Sequence, residues 1–190
     1  MGHAITAGDV RAFRCFCDFS DAEAGAVARL LEPLRLARGE ALFHQGDTGD
    51  AIYLLVAGLL EIRVRLPGQD EHLCATLEAG ALFGEISPLL GEPRKASAVA
   101  ATDCALWHLP SAALQTALDR GETWAGKFLL AAIRVLARRL VALNGEVMAL
   151  LAGLRRSDGT SGLPDEAELD QVSSRMFDAE VLGLLSHSMV

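Results

Sequence analysis

The sequence predicts an α+β protein: a small β-barrel of the jelly-roll, or double-stranded β-helix, type, with a helix before it and a long helix after it. Three observations predict it. Leu60, Ile62, Val64 and Leu66 alternate with Glu61, Arg63 and Arg65, the period of a strand with one buried face. Glycines at 46, 49, 58, 68, 80, 84 and 91 punctuate the region around them, as short strands joined by tight turns require. After Pro110 the period changes: Leu129, Ile133, Leu136, Leu140, Leu143, Val147, Leu150 and Leu154 recur at alternating steps of four and three, the seam of a coiled coil.

In chain order, Phe13, Phe16 and Phe19 mark an amphipathic segment in which Cys15 and Cys17 serve as small hydrophobes. Ser20 to Glu23 reads as a capping box, which starts a helix at Asp21 that runs toward Leu31 and closes at Pro33. Strand character begins after Gly39. Pro67 to Glu71 is turn chemistry, and Leu73, Ala75 and Leu77 resume the alternation on a returning strand. Ser111 caps a short helix through Leu118, Asp119 to Glu122 breaks it, and Thr123 caps the long one. These signals divide the chain into residues 1–122, a long helix over 123–155, and a linker and short tail helix over 156–190. Helix turns near Thr123 pack on the barrel, but some thirty residues of helix reach about 45 Å, beyond what one barrel covers. A homodimer through the helix over 129–154 is expected.

With 190 residues, of which 51% are hydrophobic and 22% charged, the chain can bury a core, which excludes global disorder. No basic and then apolar leader opens the sequence, and Arg134, Arg138 and Arg139 interrupt its most apolar stretch, so no membrane span is expected. The four cysteines show no CxxC pair, and His44, His72 and His108 stand singly on strand-like segments. Reduced thiols, no metal and a cytoplasmic location are the expectation. A net charge of −8 argues against a nucleic-acid surface over the whole molecule but leaves room for a local anion site.

The run from Phe83 to Ser97, FGEISPLLGEPRKAS, carries the chemistry. A glycine before a short helical turn lets backbone N–H groups converge on an anion. Arg94 follows Gly91 and Pro93 and precedes an alternating strand, where its planar fork can face the same anion. Glu85 has no basic residue within helical reach, and a carboxylate beside a phosphate site is useful where it accepts hydrogen bonds from sugar hydroxyls. Phosphate and diol together describe a nucleotide. An ion pair between Glu85 and Arg94 across the turn fits the spacing equally well.

This run resembles the phosphate-binding cassette of the cyclic-nucleotide-binding domain. Catabolite-activator-type bacterial regulators, protein kinase A regulatory subunits and cyclic-nucleotide-gated channels share that domain. Gly84-Glu85, a small residue at Ser87 and Pro93-Arg94-x-Ala96-Ser97 meet the family pattern, and the stretch from Leu42 to Val64 resembles its early strands. The segment from Ala137 through Asn144 resembles the bacterial dimer helix. The resemblance spans about Phe19 to Leu154 and implies a role for each matched residue. Phe83 opens the cassette. Gly84 and the amides of Ile86 and Ser87 meet the cyclic phosphate, and Glu85 takes the ribose 2′-hydroxyl. Arg94 pairs with the exocyclic oxygens, with Lys95 beside it, while Ala96 and Ser97 line the wall. Asn144 falls where the family places a base contact, though it also reads as a solvated helix residue, and Arg138 and Arg139 read as a solvated or barrel-facing pair. Lys95 stands where relatives carry Ala, Ser or Thr, and Pro88 where they carry Leu, so the base is not legible.

Beyond the linker the tail is acidic, with Arg175 as its lone Arg or Lys between Ser157 and Val190. A DNA-recognition helix needs basic and polar side chains facing the duplex, so DNA binding is not expected. The resemblance thus implies a non-enzymatic sensor of cAMP, with cGMP open. It has no other cofactor and signals through helix rearrangement to an unidentified protein partner. The alternative is a ligand-independent structural or adaptor dimer.

Overall fold

The computed structural model describes residues 4–66, 68 and 70–157. Two short N-terminal helices, α1 (Ala7–Arg11) and α2 (Asp21–Ala28), flank a single 3-10 turn (Arg14–Phe16). Eight strands follow: β1 (Glu32–Leu36), β2 (Ala41–Phe43), β3 (Ala51–Ala57), β4 (Leu60–Arg65), β5 (Glu71–Leu77), β6 (Leu82–Phe83), β7 (Ser97–Ala100) and β8 (Cys104–Pro110). A short helix, α3 (Ile86–Leu90), interrupts them between β6 and β7. Helices α4 (Ser111–Asp119) and α5 (Thr123–Ser157) close the described chain. The expected barrel takes its jelly-roll form, as two four-stranded antiparallel sheets in the orders β1-β8-β3-β6 and β2-β7-β4-β5.

The helices add a third layer, so the sheet containing β3 is covered on both sides. Along β3, Ala51, Tyr53 and Leu55 face the core between the sheets, with Leu60, Ile62 and Leu106. Ile52 and Leu54 face a second core made with Phe13, Phe16, Phe19, Val27, Trp124 and Phe128. The unbroken apolar run from Ala51 to Leu55 is the signature of such a doubly covered strand. Phe16 stacks on Phe128 at 5.3 Å between ring centres, which seats α5 against the N-terminal helices.

Several local expectations are corrected. Pro33 does not merely end α2, which stops at Ala28. It lies inside β1, where an edge position spares the missing N–H. Leu73 is exposed rather than buried, because β4 pairs Ile62 with Ala75 but Arg63 with Leu73. The extra residue, Cys74, turns the rest of β5 over. Ser111 caps nothing with its side chain. Pro110 holds the cap position of α4, and the Ser111 N–H donates to the Asp50 carbonyl at 2.8 Å. Pro67 and Gln69 of the intervening turn, and the tail beyond Ser157, lie outside the described residues.

Two faces of α5 differ in fate. Trp124, Ala125, Phe128, Ala131 and Ala132 are buried in the second core and Val135 is buried beyond them, while Leu130, Ile133, Val141 and Met148 are exposed. Of the expected seam, Leu143 is buried, Ile133 is exposed, and Leu129, Leu136, Leu140 and Val147 are half-buried. The side chains of Leu150 and Leu154 lie outside the described residues.

The Ser20–Glu23 capping box forms as expected, and Glu23 also accepts from Lys127 Nζ of α5 at 2.7 Å. The Lys127 hydrogen bond and the Ser20 N–H hold the Glu23 carboxyl below its usual range. A carboxyl lowered on folding stabilises the fold above its unfolded pKa and stops doing so as pH falls through the folded one. Glu23→Gln is therefore expected to lower the thermal midpoint at pH 7. At pH 3 the difference from wild type, followed by circular dichroism, should shrink.

Candidate functional site

The site is built where β6 leaves the sheet. Gly84 follows at φ 73°, and a Cβ there would stand 3.0 Å from the Tyr53 ring and 3.1 Å from Arg94 Nη1. Glu85 opens α3, and Gly91 ends it in the left-handed conformation at φ 69°. Pro88 is the third residue of α3, in the first turn, where its missing N–H costs no helical hydrogen bond. Ser87 Oγ donates to the Pro93 carbonyl at 3.2 Å, which folds the returning strand over the short helix. The β2–β3 loop is pressed against it: a Cβ on Gly49 would lie 2.2 Å from that of Ser87, so glycine is required there by the close approach alone. The Arg94 N–H donates to Asp47 O at 2.7 Å, and Arg94 O accepts from the Gly46 N–H at 2.8 Å.

Arg94 is 3% exposed. Its Nη1 donates to Gly84 O at 2.7 Å and its Nη2 to Ala51 O at 2.9 Å. Its guanidinium carbon lies 4.3 Å from the centre of the Phe43 ring and 5.3 Å from that of Tyr53. Burial works against its charge and lowers its pKa. Glu85 is 1% exposed, and its Oε1 accepts from Arg139 Nη1 at 2.7 Å. Arg139 comes from α5, is 6% exposed and also donates from Nη2 to the Leu82 carbonyl. Burial pushes the Glu85 carboxyl up, while the Arg139 and Arg94 charges pull it back.

Eight of the expected residues, Phe83, Gly84, Glu85, Ile86, Ser87, Arg94, Lys95 and Ala96, line one cavity of about 50 Å³, together with Phe43, Ile62, Leu77 and Arg139. Ser97 is not among the lining residues. It is buried, and its Oγ accepts from the Gln45 N–H at 3.1 Å. Asn144 is half-buried on α5, also outside the lining. The pairing of Glu85 with Arg94 that the spacing allowed does not form; the carboxylate is paired by Arg139. No periodicity rule could single Arg139 out, because it sits beside Arg138 in a helical run and is separated from Glu85 by more than fifty residues. The available signal was the uncompensated charge of Glu85 in an apolar setting.

Among the described residues, four buried side-chain polar atoms have no hydrogen-bond partner: Glu85 Oε2, Arg94 Nε and Arg139 Nε at the cavity, and Asn144 Oδ1 outside its lining. Buried polar groups are ordinarily satisfied by protein, water or ligand. Glu85 Oε2 wants a donor such as a hydroxyl, and the two Nε–H groups want acceptors. Among the described residues no cluster of His, Cys, Asp or Glu can hold a metal ion.

Residues 33–120 match the model of the cyclic nucleotide-binding domain. The chain carries a domain of this family over those residues. It is 33% identical over 137 residues to a CRP-like cAMP-activated global transcriptional regulator of Mycobacterium tuberculosis, covering 70% of this chain and 59% of that protein. A cAMP-dependent protein kinase regulatory subunit of Eremothecium gossypii is 35% identical over 83 residues, 44% of this chain and 17% of the relative. The chain thus spans only part of each relative's length. Among solved structures, a cyclic nucleotide-binding domain from Methylobacillus flagellatus superposes with a TM-score of 0.68 at 25% identity, covering 83% of this chain and 84% of the other. Among the described residues no helix is long and apolar enough to cross a membrane.

The cassette's geometry makes Gly84 a sharp test. Gly84→Ala forces a side chain into the left-handed region and against both Tyr53 and Arg94. We expect a loss of about 1–3 kcal/mol in denaturant unfolding and a displaced Arg94.

Proposed function

We propose that the chain is a non-enzymatic cyclic nucleotide sensor, with cAMP as the first ligand to consider and cGMP as the second. The observation that carries this is the convergence of Glu85, Arg94 and Arg139 on one cavity, each with a buried polar atom lacking a partner. A ribose hydroxyl supplies the donor that Glu85 Oε2 lacks, and a cyclic phosphate the acceptor for the Arg94 Nε–H. The backbone amides of Ile86 and Ser87, at the start of α3, add donors on the phosphate side, and Ala96 forms part of the wall. Asn144, with its unpartnered Oδ1, is the candidate contact for the base, and Ser97 supports the wall from behind through Gln45.

The cavity as it stands, about 50 Å³, is smaller than the roughly 300 Å³ or more of ordinary ligand sites, which fits an entry in which the cassette and α5 separate around Arg139, the residue that ties Glu85 to that helix. A ligand that binds the opened arrangement better shifts the population toward it and re-seats α5. The hinge is the segment from Asp119 to Thr123, with Gly121 at φ 67°. The exposed face of α5 (Leu130, Ile133, Val141, Met148) would serve a homodimer, and the output would pass to an unidentified protein partner in the cytoplasm.

The small cavity also favours a second reading, a structural or adaptor dimer that keeps the fold and has dispensed with ligand. Thermal unfolding of the purified, nucleotide-stripped chain with and without cAMP or cGMP separates the two. A ligand at a hundred times its Kd stabilises by about 2.7 kcal/mol, whereas an unchanged midpoint up to millimolar nucleotide supports the adaptor.

A further inference from the structure

We infer that a groove between α2, α4 and the first turn of α5, remote from the cassette, is the seat of this chain's own acidic segment from Met176 to Leu182. The floor of the groove is apolar: Ala26, Leu30, Ala113, Ala117 and Trp124 line a volume of about 320 Å³, the size of an ordinary ligand site. Its rim is cationic. Arg29 and Arg120 line it, both are exposed, and among the described residues neither has an ion-pair partner. The other polar lining residues are engaged. Thr116 Oγ1 donates to the Ala112 carbonyl at 2.8 Å, and Glu122 Oε2 accepts from Trp124 Nε1 at 2.6 Å. Glu122 offsets one of the two arginine charges. Asp119, beside Arg120, lies outside the lining and accepts from Gln115 Nε2 at 2.8 Å. The groove therefore suits an occupant that is acidic and partly apolar.

Residues 158–190 hold seven Asp and Glu against Arg175 alone. Reach selects among them. Trp124 and Ser157 stand about 50 Å apart along α5. Asp165, Glu166, Glu168 and Asp170 follow Ser157 too closely: a fully extended chain carries even Asp170 back by less than about 47 Å. Asp178 and Glu180 lie far enough along the chain to return to the groove with slack. Around them Phe177, Ala179 and Val181 alternate with the two acids. An extended segment of that pattern offers an apolar face to the floor and carboxylates to Arg29 and Arg120 at the rim. Seated there, it ties α2 and α4 to the start of α5.

Arg175 supplies the probe. The test is the initial rate of tryptic cleavage after Arg175 in the full chain, read from the 1–175 product by mass spectrometry and compared with a free peptide spanning 171–185. Seating is expected to slow cleavage in the chain relative to the peptide. Arg29→Gln and Arg120→Gln should each raise the rate by about two- to fivefold, the range of an exposed ion pair. Phe177→Ser, compared with a peptide carrying the same change, should also raise it. Thermal midpoints of the arginine variants should match wild type, since neither arginine is paired within the described fold. Cleavage as fast in the chain as in the peptide would overturn the inference. So would protection that persists in the double variant Arg29→Gln/Arg120→Gln, because another surface would then cover the segment. Protection that is lost on dilution would assign the groove to the tail of a second copy and overturn seating within one chain.

Discussion

Arg94→Ala is expected to weaken cAMP binding by about ten- to a hundredfold, the loss of a charge-assisted hydrogen-bond pair worth about 1.5–3 kcal/mol. The arginine serves the fold as well as the ligand. Truncation leaves the carbonyls of Gly84 and Ala51 without their donors and opens the contact with Phe43 and Tyr53. A stability loss of about 1–3 kcal/mol should therefore accompany the loss of affinity. Arg94→Lys separates the two: it keeps a positive charge but not the fork that reaches both carbonyls. It should recover part of the phosphate affinity and little of the stability. Calorimetric titration together with denaturant unfolding reads both, and unchanged affinity in Arg94→Ala would remove the residue from the site.

Arg139→Ala should have the largest effect on the fold. It leaves Glu85, 1% exposed, without its ion-pair partner, and breaking one side of a buried pair costs about 3–5 kcal/mol. The cost depends on pH. Burial already raises the Glu85 carboxyl, and removing Arg139 takes away the strongest charge opposing that rise. The folded protein then holds a proton that the unfolded chain has released. Stability therefore falls as pH climbs above about 4.3, until Glu85 ionises in the fold. Unfolding of Arg139→Ala should accordingly lie closest to wild type near pH 4 and diverge toward pH 8. Glu85→Gln combined with Arg139→Met removes both charges and should restore most of the stability while leaving cAMP binding defective. A pH-independent loss in Arg139→Ala, unrelieved by the second substitution, would contradict the pairing.

How far the sequence carried follows from the range of each signal. Local rules sufficed where the cause is local. The capping box at Ser20 and Glu23, the alternation of β4 and the glycines that turn the cassette each depend on residues a few positions apart. They failed where a distant partner decides. β1 escaped notice because Pro33 looks like a terminator until the strand is known to lie at an edge. The exposure of Leu73 follows from a bulge at Cys74, which nothing within β5 announces. The seam on α5 reads as one continuous stripe, whereas the structure turns part of that helix onto the N-terminal aromatics and leaves Ile133 outside. At the site, eight of the ten residues named from the motif line one cavity, whereas Ser97 and Asn144 do not. The partner of Glu85 was not legible, because Arg139 reaches it only after the chain has crossed the sandwich and returned along α5.

That return makes Arg139 the link between the helix and the pocket, where a cyclic nucleotide is expected to bind. The most direct measurement is calorimetric titration of the nucleotide-stripped full chain with cAMP and, separately, with cGMP, repeated with Arg94→Ala. Saturable binding of at least one nucleotide, weakened about ten- to a hundredfold in the variant, is the predicted result. A folded wild-type chain that takes up neither nucleotide would contradict the account.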